Sequence, residues 1–106
     1  MSMTAVIQLS FEPEWFRLDS RQRMIFRAEI AKILKSSPGM NCRWFDSEPW
    51  TGSVAEFFVC QFGDLHEYWR FWNELREHPV FRNSWARILR VSVGARQANF
   101  SRDGES

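Results

Sequence analysis

Asp46 and Glu48 stand two positions apart at the end of a strand-like run. Alternation along a strand points both carboxylates to one side. With Trp50 close by to exclude water, one carboxyl would hold its proton at neutral pH while the other acts as base. The competing reading is a solvated strand end whose acids pair with arginines. Two histidines add to the candidate proton-moving groups. His66 falls in the first turn of a helical stretch, displaced from its aromatic stripe, and an imidazole titrating near about 6.5 can shuttle a proton or ligate a metal. An exposed first-turn histidine would do neither. His78 falls at the end of the same stretch, before Pro79, where it would either move protons or interact with the last helical carbonyls. Asp46, His66 and His78 are therefore the candidate catalytic residues.

The candidate ligand-binding residues are aromatic and cationic. Leu65, Tyr68, Trp69, Trp72 and Leu75 recur at the offsets that share one helical face, with Phe71 on the flank. They cover roughly 160° of the helix, whereas a stripe of about 100° is enough to sit on a core. Surplus aromatic surface of this kind suits either a planar ligand held between helix and sheet or plain core and interface packing. Arg76 falls close to the same face, and Arg43 and Arg90 lie on strands. An arginine pointing inward from any of these positions needs a carboxylate, a phosphate or a ligand anion; Arg43 would find an internal one in Glu56 or Asp46.

The elements that must position these groups are legible in order. Residues 4–11 alternate Ala5, Ile7, Leu9 and Phe11 against Thr4, Val6, Gln8 and Ser10, the period of a strand. Pro13 breaks it, and Trp15 and Phe16 fold back as a lid or a short turn of helix. Asp19 or Ser20 caps a helix reaching about Ser36, with Gln22 in capping-box position and Ile25, Ala28 and Leu34 in helical spacing. Ser37, Pro38 and Gly39 turn the chain into a strand at 41–46. A loop through Pro49 and Gly52 leads to the most strand-like run, 54–62. Gly63 separates this run from the aromatic helix, which Asp64 caps and Pro79 ends after His78. An irregular piece near Phe81 and Trp85 precedes the last strand, 87–93.

The order is strand, helix, strand, strand, helix, strand. This is the ferredoxin-like α+β arrangement, a four-stranded antiparallel sheet with two helices on one face. Its other face must be polar, bind something or pair with a second copy. The side chains turned outward are Phe58, Cys60 and Phe62 in one register, or Phe57 and Val59 in the other. Either set leaves apolar surface uncovered, so a homodimer is expected, two sheets packing face to face in a shared α/β barrel. One domain over residues 1–95 is expected, followed by a polar tail at 96–106.

Composition excludes several classes. The chain has 106 residues, enough for a single core that buries over about 60% of the unfolded surface. Lys and Arg number 14 against 13 Asp and Glu, so neither a nucleic-acid nor a membrane-surface partner draws support from charge. The first strand lacks the stacking aromatics, and the third the basic residues, of a sheet that reads RNA. The loop after the first strand contains Glu12 and Glu14, a poor cradle for phosphate. No leader-like segment or membrane-length apolar run is present, which points to a cytoplasmic protein. Two cysteines, Cys42 and Cys60, make neither a disulfide framework nor a zinc site, and free thiols are expected. No cofactor and no metal is expected. Six Trp and ten Phe remain the compositional oddity, favouring a pocket, an interface or both.

Pro13 with Trp15, the run from Leu18 to Arg21, the run from Arg43 to Glu48, and Asp64-Leu65 followed by Tyr68, Phe71, Glu74, Leu75, Arg76, Pro79 and Phe81 together resemble the darcynin family. The resemblance spans residues 4–93. It implies a small bacterial domain of unassigned activity, similar in topology to the dimeric α/β-barrel proteins that include cofactor-independent monooxygenases, polyketide cyclases and haem-degrading enzymes. By the same analogy a helix-end histidine such as His78 would be a proton mover or a haem ligand. His78 and Cys42 stand where the family pattern does not require them, so a role for either would be particular to this chain. Two functions stay open. One is a cofactor-independent enzyme acting on an apolar or aromatic metabolite; the other is a non-catalytic dimeric module that binds a small molecule or a protein. An enzyme needs a titratable side chain projecting into a cavity, whereas a module needs only apolar walls.

Overall fold

A computed structural model describes residues 2–47 and 56–96. The elements run β1 (Met3–Phe11), α1 (Pro13–Arg17), α2 (Ser20–Leu34), β2 (Met40–Asp46), β3 (Glu56–Phe62), α3 (Leu65–Glu77), α4 (Pro79–Arg82) and β4 (Ala86–Ala95). The strands form an antiparallel sheet in the order β2-β3-β1-β4. The ferredoxin-like α+β reading holds, with two short helices added. Trp15 makes α1 fold back, buried and stacked on Phe11 with ring centroids 5.0 Å apart, while its neighbour Phe16 stays exposed. The piece near Phe81 is one turn of helix, α4. Glu48, Trp50 and Val54 lie outside the described residues, as does the tail beyond Arg96.

Local signals explain the helix boundaries. Asp19 accepts a hydrogen bond from the Gln22 N–H at 2.8 Å, and the Gln22 side chain accepts one from the Asp19 N–H at 3.4 Å. This reciprocal cap satisfies two of the donors that a helix start leaves unpaired. At α3, Asp64 accepts from the His66 N–H at 2.8 Å. Pro79 removes the N–H that would extend α3 and starts α4, where proline's fixed φ is already helical.

The pairing of β1 with β3 sets Ala5 opposite Cys60 and Ile7 opposite Phe58. These four residues are fully buried, and Leu9 and Phe62 nearly so. Phe58, Cys60 and Phe62 therefore face the helices, and Phe57 and Val59 take the open side. Ile30 and Leu34 from α2 and Phe71 and Leu75 from α3 close over this face. Ile25, expected among the packing residues of α2, is exposed instead, and Phe26 and Ile33 pack in its place. The open face carries Val6 and Gln8 from β1, Arg43 and Phe45 from β2, and Phe57 and Val59 from β3. Phe45 and Phe57 stack there at 5.0 Å.

Candidate functional site

The last two turns of α3 present Trp72, Leu75 and Arg76 on one side, at the spacing that places i, i+3 and i+4 together. The chain then turns through His78 and Pro79, α4 contributes Phe81, and Ser84 takes a left-handed conformation with φ 60° that redirects the backbone into β4. Ala86 and Ile88 face the helices by alternation. A bulge opposite Gln8 and Leu9 then inserts one residue, so that Leu9 pairs with Ile88 but Gln8 pairs with Arg90. Parity flips at that point, and Val91 returns to the helix side while Arg90 is sent to the open face. Between α3, α4 and β4 these residues line a cleft of about 580 Å³, with Arg87 at its rim.

The walls of the cleft are apolar and its charged groups are cationic. The Arg76 guanidinium lies over the Trp72 ring at 5.3 Å, a cation–π contact that leaves its N–H donors available. Arg87 is exposed and reaches Glu12 only at 3.5 Å. Trp72 is the outer edge of an aromatic wall: Tyr68 meets it edge-on at 6.2 Å and stacks flat on Phe62 at 4.3 Å. Loss of water around the Tyr68 hydroxyl pushes its pKa up. Trp69 does not share this wall; it is exposed, as is Leu65. The inward stripe is Phe71 and Leu75, buried, with Tyr68 and Trp72 partly buried beside them, rotated from the expected one because Phe71 rather than Trp69 fills the space over the sheet.

On the opposite flank of the sheet a second arrangement forms around Glu56. This residue shares the helix-facing side of β3 with Phe58, and its carboxylate is nearly buried. Arg27 from α2 grips it with two hydrogen bonds, at 3.0 and 2.6 Å, and Trp44 donates its indole N–H at 2.6 Å. The guanidinium also lies between the rings of Phe11, Trp15 and Trp44, at 5.4, 5.7 and 5.4 Å. The hydrogen bonds to Glu56 raise the Arg27 pKa against the opposing effect of burial, and the charges of Glu56 and Asp46 add to the rise. Asp46 sits opposite Glu56 in the β2–β3 ladder, and together with Arg27 and Trp44 the two acids border a recess of about 360 Å³.

The sequence-derived site residues are thus dispersed. Trp72 and Arg76 meet in the cleft, with Tyr68 behind them. Asp46 joins Glu56, Arg27 and Trp44 in the other recess; the expected partner Glu48 lies outside the described residues. Arg43, on the open face, is not the cation that Glu56 selects. That role falls to Arg27, a residue sequence reading passed over; the signal was a glutamate alternating with Phe58, Cys60 and Phe62, which demands a buried cation. Arg90 is placed on the open face by the bulge. His66 is exposed in the first turn of α3. His78 is buried, its Nδ1 accepting from the Val80 N–H at 3.2 Å. The proton of a neutral ring is then on Nε2, which donates to Glu29 at 2.9 Å. It caps α4 and ties it to α2, and it borders neither recess. Among the described residues no group of three or more His, Cys, Asp or Glu is disposed to hold a metal ion.

Comparison with known proteins agrees with this architecture. A structure of chlorite dismutase from Candidatus Nitrospira defluvii in complex with imidazole superposes with a TM-score of 0.79 at 12% identity, covering 91% of this chain. A mutant of that enzyme in complex with cyanide gives 0.76 at 13% identity over 88% of this chain. The match spans 40% and 38% of those chains, so the likeness is to part of a longer protein and is one of fold. A darcynin homolog from Streptomyces avermitilis is 26% identical over 94 residues, which is 87% of this chain and 77% of that one. Darcynin, a domain of unknown function, matches residues 1–105. With its whole described length accounted for in that match, the chain belongs to the darcynin family.

Proposed function

We propose that this protein binds a small apolar or aromatic anion in the cleft between α3, α4 and β4. The observation that carries the reading is the lining itself: Trp72, Leu75, Phe81, Ile88 and Val91 form the walls, and Arg76 and Arg87 are the charged groups. Among the described residues that line the cleft there is no carboxylate and no imidazole, so it offers a grip without a proton mover. This favours the binding module over the enzyme. A planar ring would lie against Trp72, and a carboxylate on it would take the Arg76 fork in a bidentate, charge-assisted pair. Tryptophan fluorescence of the purified protein, titrated with planar aromatic carboxylates and their neutral amides, tests this. Saturable quenching is expected that is lost in Trp72→Leu and favours the carboxylate by about tenfold, a preference that Arg76→Gln removes. Equal response to acid and amide, or none, would refute it.

An enzymatic reading draws on the other flank. Asp46 faces Glu56 across the ladder beside a recess, and with Glu56 gripped by Arg27, Asp46 is the carboxylate that would exchange a proton with a substrate. Turnover lost in Asp46→Asn with ligand binding retained would support it.

The open face of the sheet supports a further part of the proposal, a homodimer. Val6, Phe45, Phe57 and Val59 leave apolar surface there, with Arg43 and Arg90 among them as polar contacts for a second copy. No described helix is long and apolar enough to cross a membrane. Free thiols at Cys42 and Cys60 fit the reducing cytoplasm we infer for this chain.

A further inference from the structure

Cys42 and Cys60 are opposite one another in the β2–β3 ladder, and both point to the helix-covered side. Directly opposed residues of an antiparallel pair have Cα atoms about 4.5 or 5.5 Å apart, depending on whether the pair is hydrogen-bonded. Both spacings fall inside the roughly 4.4–6.8 Å that a disulfide spans, so the register lets the sulfurs be joined by rotation of two side chains with a small local approach of the strands. The two thiols differ in access. Cys60 is fully buried on the face of β3 that also carries Phe58 and Phe62, whereas Cys42, on the edge strand, is half-buried.

We propose that Cys42 and Cys60 are a dithiol modification site, oxidised by hydrogen peroxide to a reversible cross-strand disulfide, with Cys42 attacking first and Cys60 resolving. The Cys42 thiolate takes one oxygen of the peroxide, the O–O bond breaks, and water leaves after protonation, giving a sulfenic acid on Cys42. The Cys60 sulfur then attacks the Cys42 sulfur, the S–O bond breaks, and a second water leaves with the Cys60 proton. Two thiols lose two electrons and two protons, and one peroxide becomes two waters. The order of attack follows from the geometry: the fully buried Cys60 thiol cannot meet the oxidant first, but it lies directly across the ladder from the sulfur it must attack. The hydrogen bond between the thiols works in the same direction, holding Cys42 below the usual thiol pKa and Cys60 above it. The resulting bridge would fasten the edge strand β2 to β3.

The test is a thiol count and an intact mass on the full chain, reduced, freed of reductant and treated with a small excess of hydrogen peroxide. Both thiols, titrated in denaturant, are expected to disappear, with a mass loss of two hydrogen atoms, a monomeric band on a non-reducing gel and full recovery in dithiothreitol. With dimedone present, Cys60→Ala and Cys60→Ser should accumulate the sulfenic adduct on Cys42, and Cys42→Ser should form none. Retention of both thiols, gain of oxygen without loss of hydrogen, or linkage between chains in the unmutated protein would overturn the proposal. Adduct on Cys60 in Cys42→Ser would overturn the assigned order. The measurement on the unmutated chain requires no variant to fold.

Discussion

The two flanks of the sheet use arginine in opposite ways. On the β2–β3 flank Arg27 is paired internally, with two hydrogen bonds to Glu56 and three aromatic rings around it. On the β4 flank Arg76 rests on Trp72, and no carboxylate among the described residues pairs with it. A guanidinium whose fork is taken by an internal carboxylate contributes to stability and has less to offer a ligand. One held by a ring face alone keeps its fork for an incoming anion. The difference separates a structural cluster from the proposed binding site although both contain tryptophan, arginine and a recess of molecular size.

The largest expected effect concerns the wall behind the cleft. Phe71→Ala should cost about 3–5 kcal/mol in a urea titration, the range for truncating a buried phenylalanine, whereas Trp69→Ala should stay within about 0.5 kcal/mol. Equal losses would mean that the stripe of α3 is turned toward Trp69 after all. Next comes the contrast between the arginine sites. Glu56→Gln leaves Arg27 without its anion, and because Arg27 keeps some access to water the loss should be about 2–3 kcal/mol rather than the full cost of breaking a buried pair. Arg76→Gln should change stability by under about 0.5 kcal/mol while weakening carboxylate binding. A reversal of these two would exchange the roles of the flanks.

The smallest effect is alkaline. Burial favours the neutral phenol of Tyr68, so its pKa is higher folded than unfolded. Unfolding then releases the proton more readily, and stability is complete below tyrosine's ordinary pKa of about 10 and falls as pH rises beyond it. Thermal midpoints measured from pH 8 upward should decline less in Tyr68→Phe than in the parent protein. Parallel declines would remove Tyr68 from the buried wall.

The features legible in the amino-acid sequence follow from local chemistry. Alternation in β1, the reciprocal cap at Asp19 and Gln22, the cap at Asp64 and the break at Pro79 each act within a few residues, and together they establish the element order. The dispersal of the site residues was not readable, because each case depends on contacts between distant segments. Trp69 and Phe71 are equally good occupants of a helical stripe, and only the sheet beneath α3 selects Phe71. Arg90 has the parity of Ile88 in sequence, and one inserted residue opposite β1 reverses its side. Glu56 announces a need for a cation without naming it, and the supplier, Arg27, is on the helix that packs over that end of the sheet. Sequence alone thus determined the family, the strands and helices and their order, through interactions whose range is one or two turns. Tertiary packing decided which arginine is engaged, which tryptophan is inside and that the two cysteines face each other across the ladder, because those outcomes belong to register and to the fit of one layer on another.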